Sequence, residues 1–103
     1  MIVAFSIAPS GGSSGTDSVH DAVAAAVKVV RDSGLPNQTD SMFTTIEGDW
    51  DEVFAVVKAA TEAVGEFGSR VSLVLKADIR PGRTGEMTAK VERLEEAIIR
   101  SES

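Results

Sequence analysis

The stretch VSLVLKADIR, residues 71–80, decides the fold, because it is the longest segment with a β-strand pattern. Large apolar side chains alternate along it with mostly polar ones, so one face of the strand packs on a core. Pro81 and Gly82 follow and break the strand. A second segment with small and large residues in alternation, IVAFSIA at residues 2–8, is bounded by proline and glycine. The two segments predict two long strands.

Two helices are predicted between these strands. The first covers residues 17–33, where valines and alanines recur at helical spacing and a glycine follows at the position typical of a C-terminal cap. The second begins after Asp49, with Glu52 completing a capping box, and is predicted to end at Gly68. Trp50 is predicted to start the apolar stripe of this helix, and the alternative is an exposed stacking surface.

The order of the elements defines the fold class. Short extended segments at residues 37–39 and 42–47 lie between the two helices, and a third helix is predicted over residues 86–100. The first six elements match the split βαβ, or ferredoxin-like, arrangement. We therefore expect one α+β domain, residues 1–103, in which two helices cover one face of an antiparallel sheet. The third helix carries a narrow apolar seam that is expected to cover its own sheet or a sister subunit, and the alternative is that it docks a foreign partner.

The composition restricts the function classes. The 103 residues carry a formal net charge of −6, which argues against nucleic acid, because phosphates are bound by clustered Lys and Arg. There is no cysteine and only one histidine, which excludes thiol catalysis, disulfides and multi-histidine metal sites. No apolar run approaches the roughly 20 residues that span a bilayer, and no secretory signal pattern opens the chain. We expect a cytoplasmic protein whose acidic surface tolerates a cationic small molecule.

The strand residues that alternate with the predicted core share the open face of the sheet. They combine small residues, one aromatic ring and both charge signs: Ala4, Ser6, Phe43, Thr45, Glu47, Ser72, Val74, Lys76, Asp78 and Arg80. Such a mixture is typical of a subunit interface that encloses a polar pocket. The alternative is an interface whose charges pair with one another.

The loop in SIAPSGGSSGTDSV, residues 6–19, resembles a phosphate cradle. It lacks the lysine of a P-loop, and its glycines do not fit Gly-x-Gly-x-x-Gly. Thr16 or Asp17 is predicted to cap the first helix, where an acid competes with an incoming anion. The glycines are therefore predicted to turn the chain and to form one rim of a pocket. A phosphatase of this architecture would need a basic loop here, and no motif places a nucleophile beside a base, so we expect no catalysis.

Four short motifs follow one another in a specific order within residues 2–98. They are Ser6-Ile7-x-Pro9, Met42-x-Thr44-x-Ile46-Glu47-Gly48, Trp50-Asp51-Glu52-Val53-Phe54 and Lys76-x-Asp78-x-Arg80. Together they resemble the small ferredoxin-like thiamine-binding proteins of bacteria, archaea and fungi. The resemblance implies cytoplasmic dimers or tetramers that assemble through their sheets. It also implies binding of thiamine or its hydroxymethylpyrimidine moiety, without catalysis and without a cofactor.

The resemblance also implies a set of ligand-binding residues. They are Ser6, Thr44, Glu47, Lys76, Asp78 and Arg80, and Phe43 is a further candidate that belongs to this chain alone. A carboxylate of Glu47 or Asp78 would accept from the aminopyrimidine or face the thiazolium charge, and the hydroxyls of Ser6 and Thr44 would supply short hydrogen bonds. Strict alternation places Thr44 towards the helices, unless a bulge near Ser41 re-aims it.

Phe43 is a departure from the family pattern. Where the family usually reads Pro-Met-Gly-Thr, this chain has Ser41-Met42-Phe43-Thr44. The ring of Phe43 would either stack on a pyrimidine or close the pocket. The alternative function is therefore a structural or regulatory oligomer whose pocket Phe43 fills, without thiamine binding.

Overall fold

A computed structural model describes residues 1–11, 16–82 and 84–102 of the chain. Its elements are β1 (Ile2–Ser10), α1 (Thr16–Asp32), β2 (Asn37–Thr39), β3 (Thr44–Glu47), α2 (Trp50–Gly65), β4 (Arg70–Asp78) and α3 (Glu86–Glu102). The strands form one antiparallel sheet in the order β2–β3–β1–β4. This is the predicted ferredoxin-like α+β fold.

β1 is a central strand, with β3 on one side and β4 on the other. It pairs with β4 along its whole length, from Ile2 opposite Asp78 to Ser10 opposite Arg70. Since side chains alternate along a strand, this register fixes which residues share a face of the sheet. The odd-numbered residues of β1 face the helices and its even-numbered residues lie on the open face, as predicted.

The core lies between the sheet and the helices α1 and α2. The sheet contributes Val3, Phe5, Ile7 and Ile46, and the helices contribute Ala22, Ala26, Val30, Val53, Val57, Ala60 and Val64. The helix side of this core consists of alanine and valine alone, which allows the helices to lie close to the sheet. Two apolar residues of the stretch 71–80 that alternation predicts to face the core are exposed: Leu73 is 42% exposed, because β4 is an edge strand, and Ile79 is 48% exposed, because it lies beyond the end of β4.

α2 begins as predicted and ends earlier than predicted. The Asp49 side chain accepts a hydrogen bond from the Glu52 N–H at 2.9 Å, and the Glu52 carboxylate accepts one from the Asp49 N–H at 3.3 Å. The helix ends at Gly65, and Gly68 lies against the end of β1 instead. A Cβ at Gly68 would lie 2.7 Å from the carbonyl oxygen of Ser10. Only glycine allows this close approach of the two backbones.

We expect Gly68→Ala to lower the free energy of unfolding by about 1–3 kcal/mol, because a backbone segment has to shift to admit the methyl group. Gly65→Ala is the matched control, since its Cβ would lie 3.8 Å from Val71 in ordinary contact. This control is expected to be neutral or stabilising by up to about 1 kcal/mol, because alanine favours a helix. Urea unfolding measures the stability of both variants. Equal stabilities of Gly68→Ala and Gly65→Ala would contradict the close backbone contact at Gly68.

α3 leaves the body of the protein after its first turns. Its apolar seam is exposed, with Val91, Leu94 and Ile98 at 56%, 58% and 42%. Of the two predicted roles for this seam, covering its own sheet is wrong, because the helix contacts the sheet only near its N-terminus. The open face of β1 and β4 also stays uncovered within the chain, with Val74 57% exposed.

Some sequence predictions fall outside the described residues. One is the turn and pocket rim predicted for the glycine loop at residues 12–15. The other is the capping role predicted for the side chains of Thr16 and Asp17. Within the described ranges, no helix combines the length and the apolar character that crossing a bilayer requires. The same ranges hold no group of three or more His, Cys, Asp or Glu side chains able to bind a metal ion.

Candidate functional site

Four of the predicted ligand-binding residues lie on the open face of the sheet. Glu47 and Asp78 are both opposite Ile2, at one end of β3 and β4. Lys76 lies two positions along β4 on the same face, and Ser6 lies further along β1, opposite Val74. Arg80 follows β4 at the end where the two carboxylates lie. The structure therefore brings the two acids and the arginine together at one end and leaves Ser6 apart from them.

Thr44 and Phe43 lie away from this end. Thr44 pairs with Phe5, faces the core and is 9% exposed, so strict alternation holds and no bulge re-aims it. Phe43 is 37% exposed and lies in the turn between β2 and β3. The backbone N–H groups of Phe43 and Met42 donate to Asp40 Oδ1, and these bonds hold the pKa of Asp40 below its ordinary value.

Glu47 caps the N-terminus of α3. Its carboxylate accepts hydrogen bonds from the backbone N–H of Glu86 at 2.8 Å and of Met87 at 3.3 Å, and the residue is 6% exposed. The first N–H groups of a helix have no partner within the helix, and a negative charge at this end is favourable. Glu47 therefore attaches α3 to the sheet.

Two further charged groups of the sheet end also contact α3. Lys90 donates to the carboxylate of Asp78, and this hydrogen bond is the main reason why the pKa of Asp78 lies below its ordinary value. Glu86, 5% exposed, accepts from the guanidinium of Arg93 at 2.5 Å, and the guanidinium of Arg80 lies 4.0 Å away. Glu47, Asp78 and Arg80 at the sheet end thus contact the first turns of α3 rather than one another across the strands.

A cleft of about 640 Å³ opens beside this charged end of the sheet. Its walls are the start of α2, the segment between β4 and α3, and the segment that follows α1. The apolar side chains of the lining are Met1, Leu35, Pro36, Trp50, Ile79 and Pro81. The described charged residues of the lining are Glu47, Asp49, Glu52 and Arg80. The volume lies within the range of small-molecule sites, roughly 300–1,000 Å³.

Trp50 is the residue of this cleft that the sequence prediction placed in the wrong environment. It is 55% exposed, and its ring stacks on Phe54 with a centroid distance of 5.1 Å and an interplanar angle of 15°. The stripe predicted for α2 therefore begins in the core at Val53, and the alternative of an exposed ring at Trp50 is the correct one. The sequence did contain a signal for this exposure, because Trp50 directly follows the N-cap Asp49. It is the first residue of α2, before the first buried residue of the helix, Val53.

The chain belongs to the thiamine-binding protein family, whose model matches residues 3–95. It is 54% identical over 103 residues to a UPF0045 protein of Mycobacterium bovis, covering 99% of this chain and 98% of the relative. A UPF0045 protein of Synechocystis is 43% identical over 79 residues, which cover 76% of this chain and 65% of the relative. The family assignment confirms the resemblance seen in the sequence.

Solved structures confirm the fold. A hypothetical protein of Methanocaldococcus jannascii has a TM-score of 0.76 and 30% identity, with 92% of this chain and 95% of the other covered. A domain of unknown function, DUF77, from Bacillus cereus has a TM-score of 0.72 and 30% identity, covering 84% and 83%. A Thermotoga maritima protein proposed to serve thiamine biosynthesis or salvage has a TM-score of 0.71 at 22% identity, covering 88% and 96%.

Proposed function

We propose that this protein is a non-enzymatic binder of thiamine or a hydroxymethylpyrimidine-type molecule, acting as a homo-oligomer in the cytoplasm. Membership of the thiamine-binding protein family supports the choice of ligand. The observation that carries the proposal is the cleft beside the sheet end, in which Glu47, Asp49 and Glu52 face a single described arginine, Arg80. An excess of carboxylates favours a cation such as the thiazolium of thiamine.

A binding role without catalysis is supported by the chemistry that the sequence offers. The chain has no cysteine and one histidine, and residues 11–15 of the glycine loop contain neither lysine nor arginine. The carboxylates of the cleft also serve helix termini: Glu47 caps α3, and Asp49 with Glu52 caps α2. Carboxylates held in this way have fixed positions, which suits them to orient a ligand.

An assembly of identical subunits is supported by two uncovered surfaces of complementary charge. The open face of β1 and β4 carries Arg70 and Lys76 at positions without a facing acid on β1, and Val74 between them is exposed. Residues 91–102 of α3 carry an exposed apolar seam, four glutamates and two arginines. We propose that the seam of one subunit packs on the open face of another, in a dimer or a tetramer.

The alternative function, an oligomer whose pocket is filled by Phe43, has less support. Phe43 lies in the turn between β2 and β3, and among the described residues it does not line the cleft at the other end of β3. Its ring therefore leaves that cleft open. The alternative would gain support only if the ligand site lay at the Phe43 end of the sheet.

Isothermal titration calorimetry with thiamine and with hydroxymethylpyrimidine tests the proposed function. We expect saturable heat with a Kd of tens of micromolar or tighter for at least one of the two, and tighter binding of thiamine because it carries the positive charge. Choline is the control, since it is a cation without an aromatic ring. Absence of heat with both thiamine and hydroxymethylpyrimidine would contradict the function.

A further inference from the structure

We propose that the cleft binds its ligand as a flat aromatic cation stacked on Trp50, so that the binding site lies at the end of the sheet rather than on its open face. This inference rests on the proposed function and specifies the position and the chemistry of the site. Trp50 was absent from the ligand-binding residues predicted from the sequence, and its exposure and its place in the cleft now carry the assignment.

The ring of Trp50 is positioned as a stacking surface. Phe54 stacks on one face of the indole almost in parallel, at a centroid distance of 5.1 Å, and the residue remains 55% exposed. The other face is therefore available to a planar ligand. The backbone of Trp50 is also fixed, since this residue follows Asp49, whose side chain caps α2. A fixed indole binds a flat cation through both stacking and attraction of the charge to the ring.

The charges around the ring select a cation. The carboxylates of Glu47, Asp49 and Glu52 each accept one or two backbone N–H bonds, which leaves further acceptor positions on their oxygens. An amino group of the ligand can use those positions, and a ring charge is attracted by the remaining field. An exposed aromatic ring beside three acids is an unfavourable surface for an anion.

The shape of the cleft completes the assignment. The apolar side chains of Leu35, Pro36, Ile79 and Pro81 also line the cleft. Apolar walls around a few polar groups are typical of sites that enclose most of a small ligand. The volume of about 640 Å³ is sufficient for a molecule with two aromatic rings.

The fluorescence of Trp50 tests the site directly, because this residue is the single tryptophan of a chain without tyrosine. Titration with thiamine is expected to change the emission in a saturable way, with the same midpoint as the calorimetric titration. Trp50→Leu is expected to weaken thiamine binding about tenfold or more, and Trp50→Phe to weaken it less, because a smaller ring still stacks. Circular dichroism melts confirm that both variants are folded.

A matched pair of variants tests the charge. Asp49→Asn removes the charge and keeps the cap, because asparagine is as good an N-cap as aspartate. Asp51→Asn removes the same charge two residues further on, at a position that does not line the cleft among the described residues. We expect Asp49→Asn to weaken thiamine binding threefold to tenfold and to change hydroxymethylpyrimidine binding less than twofold. Asp51→Asn should change either affinity less than twofold.

The outcomes separate this inference from the proposed function. If the wild-type protein releases no heat with thiamine or hydroxymethylpyrimidine, the proposed function fails and the inference fails with it. If the wild-type protein binds thiamine and Trp50→Leu binds it with unchanged affinity, the function stands and the site lies elsewhere. Equal effects of Asp49→Asn and Asp51→Asn would likewise contradict the selection of a cation by the cleft.

Discussion

Replacing Glu47 with alanine is expected to lower the free energy of unfolding by about 2–4 kcal/mol. The carboxylate accepts from two backbone N–H groups at the start of α3, and one of them, at Glu86, is buried. Alanine leaves these donors without an acceptor and removes a negative charge from the positive end of the helix. The first turn of α3 should then separate from the sheet.

Thermal and urea unfolding measure this loss, and hydrogen exchange locates it. In Glu47→Ala, amide protons at the start of α3 should exchange faster than in the wild-type protein because this turn opens locally. Amide protons of β1 should exchange faster only to the extent that the global stability is lower. Glu47→Gln is expected to lose about 1–2 kcal/mol, because the amide oxygen still accepts one bond without the charge. This graded series distinguishes the loss of a cap from a general disturbance of the core.

Glu52→Ala is the control for Glu47→Ala. Glu52 is also a glutamate whose carboxylate accepts from a backbone N–H, but it lies exposed at the start of α2. Its removal is expected to cost about 0.5–1 kcal/mol, since water replaces the lost bond. If Glu47→Ala and Glu52→Ala destabilise the protein equally, Glu47 does not act as a buried cap.

The parts of the fold that the sequence predicted follow from local patterns. Alternation alone assigned the faces of β1 and β4. It also placed Thr44 towards the core, so the alternative of a bulge near Ser41 that re-aims this side chain is wrong. The capping box at Asp49 was equally local, since both partners lie within one turn. The end of α2 was missed because Gly68 serves a contact with β1, which lies far away in the chain.

The candidate site was predicted less well, because its residues act through tertiary contacts. Glu47 bonds to a helix that begins 39 residues later, and no spacing in the sequence indicates this pairing. Asp78 and Arg80 likewise form ion pairs with residues of α3, Lys90 and Glu86, rather than with one another. The cleft forms where the segment after β4 lies near the start of α2. The sequence does not indicate this tertiary contact, so the place of Trp50 in the cleft could not be predicted.

Replacing Leu94 with lysine is expected to convert the assembled protein to monomers. Leu94 is 58% exposed at the centre of the α3 seam, between Val91 and Ile98. Burial of a leucine against a partner contributes about 1.5–3 kcal/mol, and a symmetric dimer loses two such contacts. In the proposed packing, the new lysine would also lie against the open face of a sister subunit, which carries Arg70 and Lys76.

Sedimentation equilibrium over a range of protein concentrations measures this effect, with the dissociation constant of Leu94→Lys raised about a hundredfold or more. Ile99→Lys is the matched control, because Ile99 is 64% exposed on the same helix but lies outside the seam. Leu94→Lys and Ile99→Lys add the same charge to the same helix. If the seam packs on a second copy, only Leu94→Lys dissociates the protein. A wild-type monomer at micromolar concentration, or equal effects of the two lysines, would contradict the packing of α3 on a sister subunit.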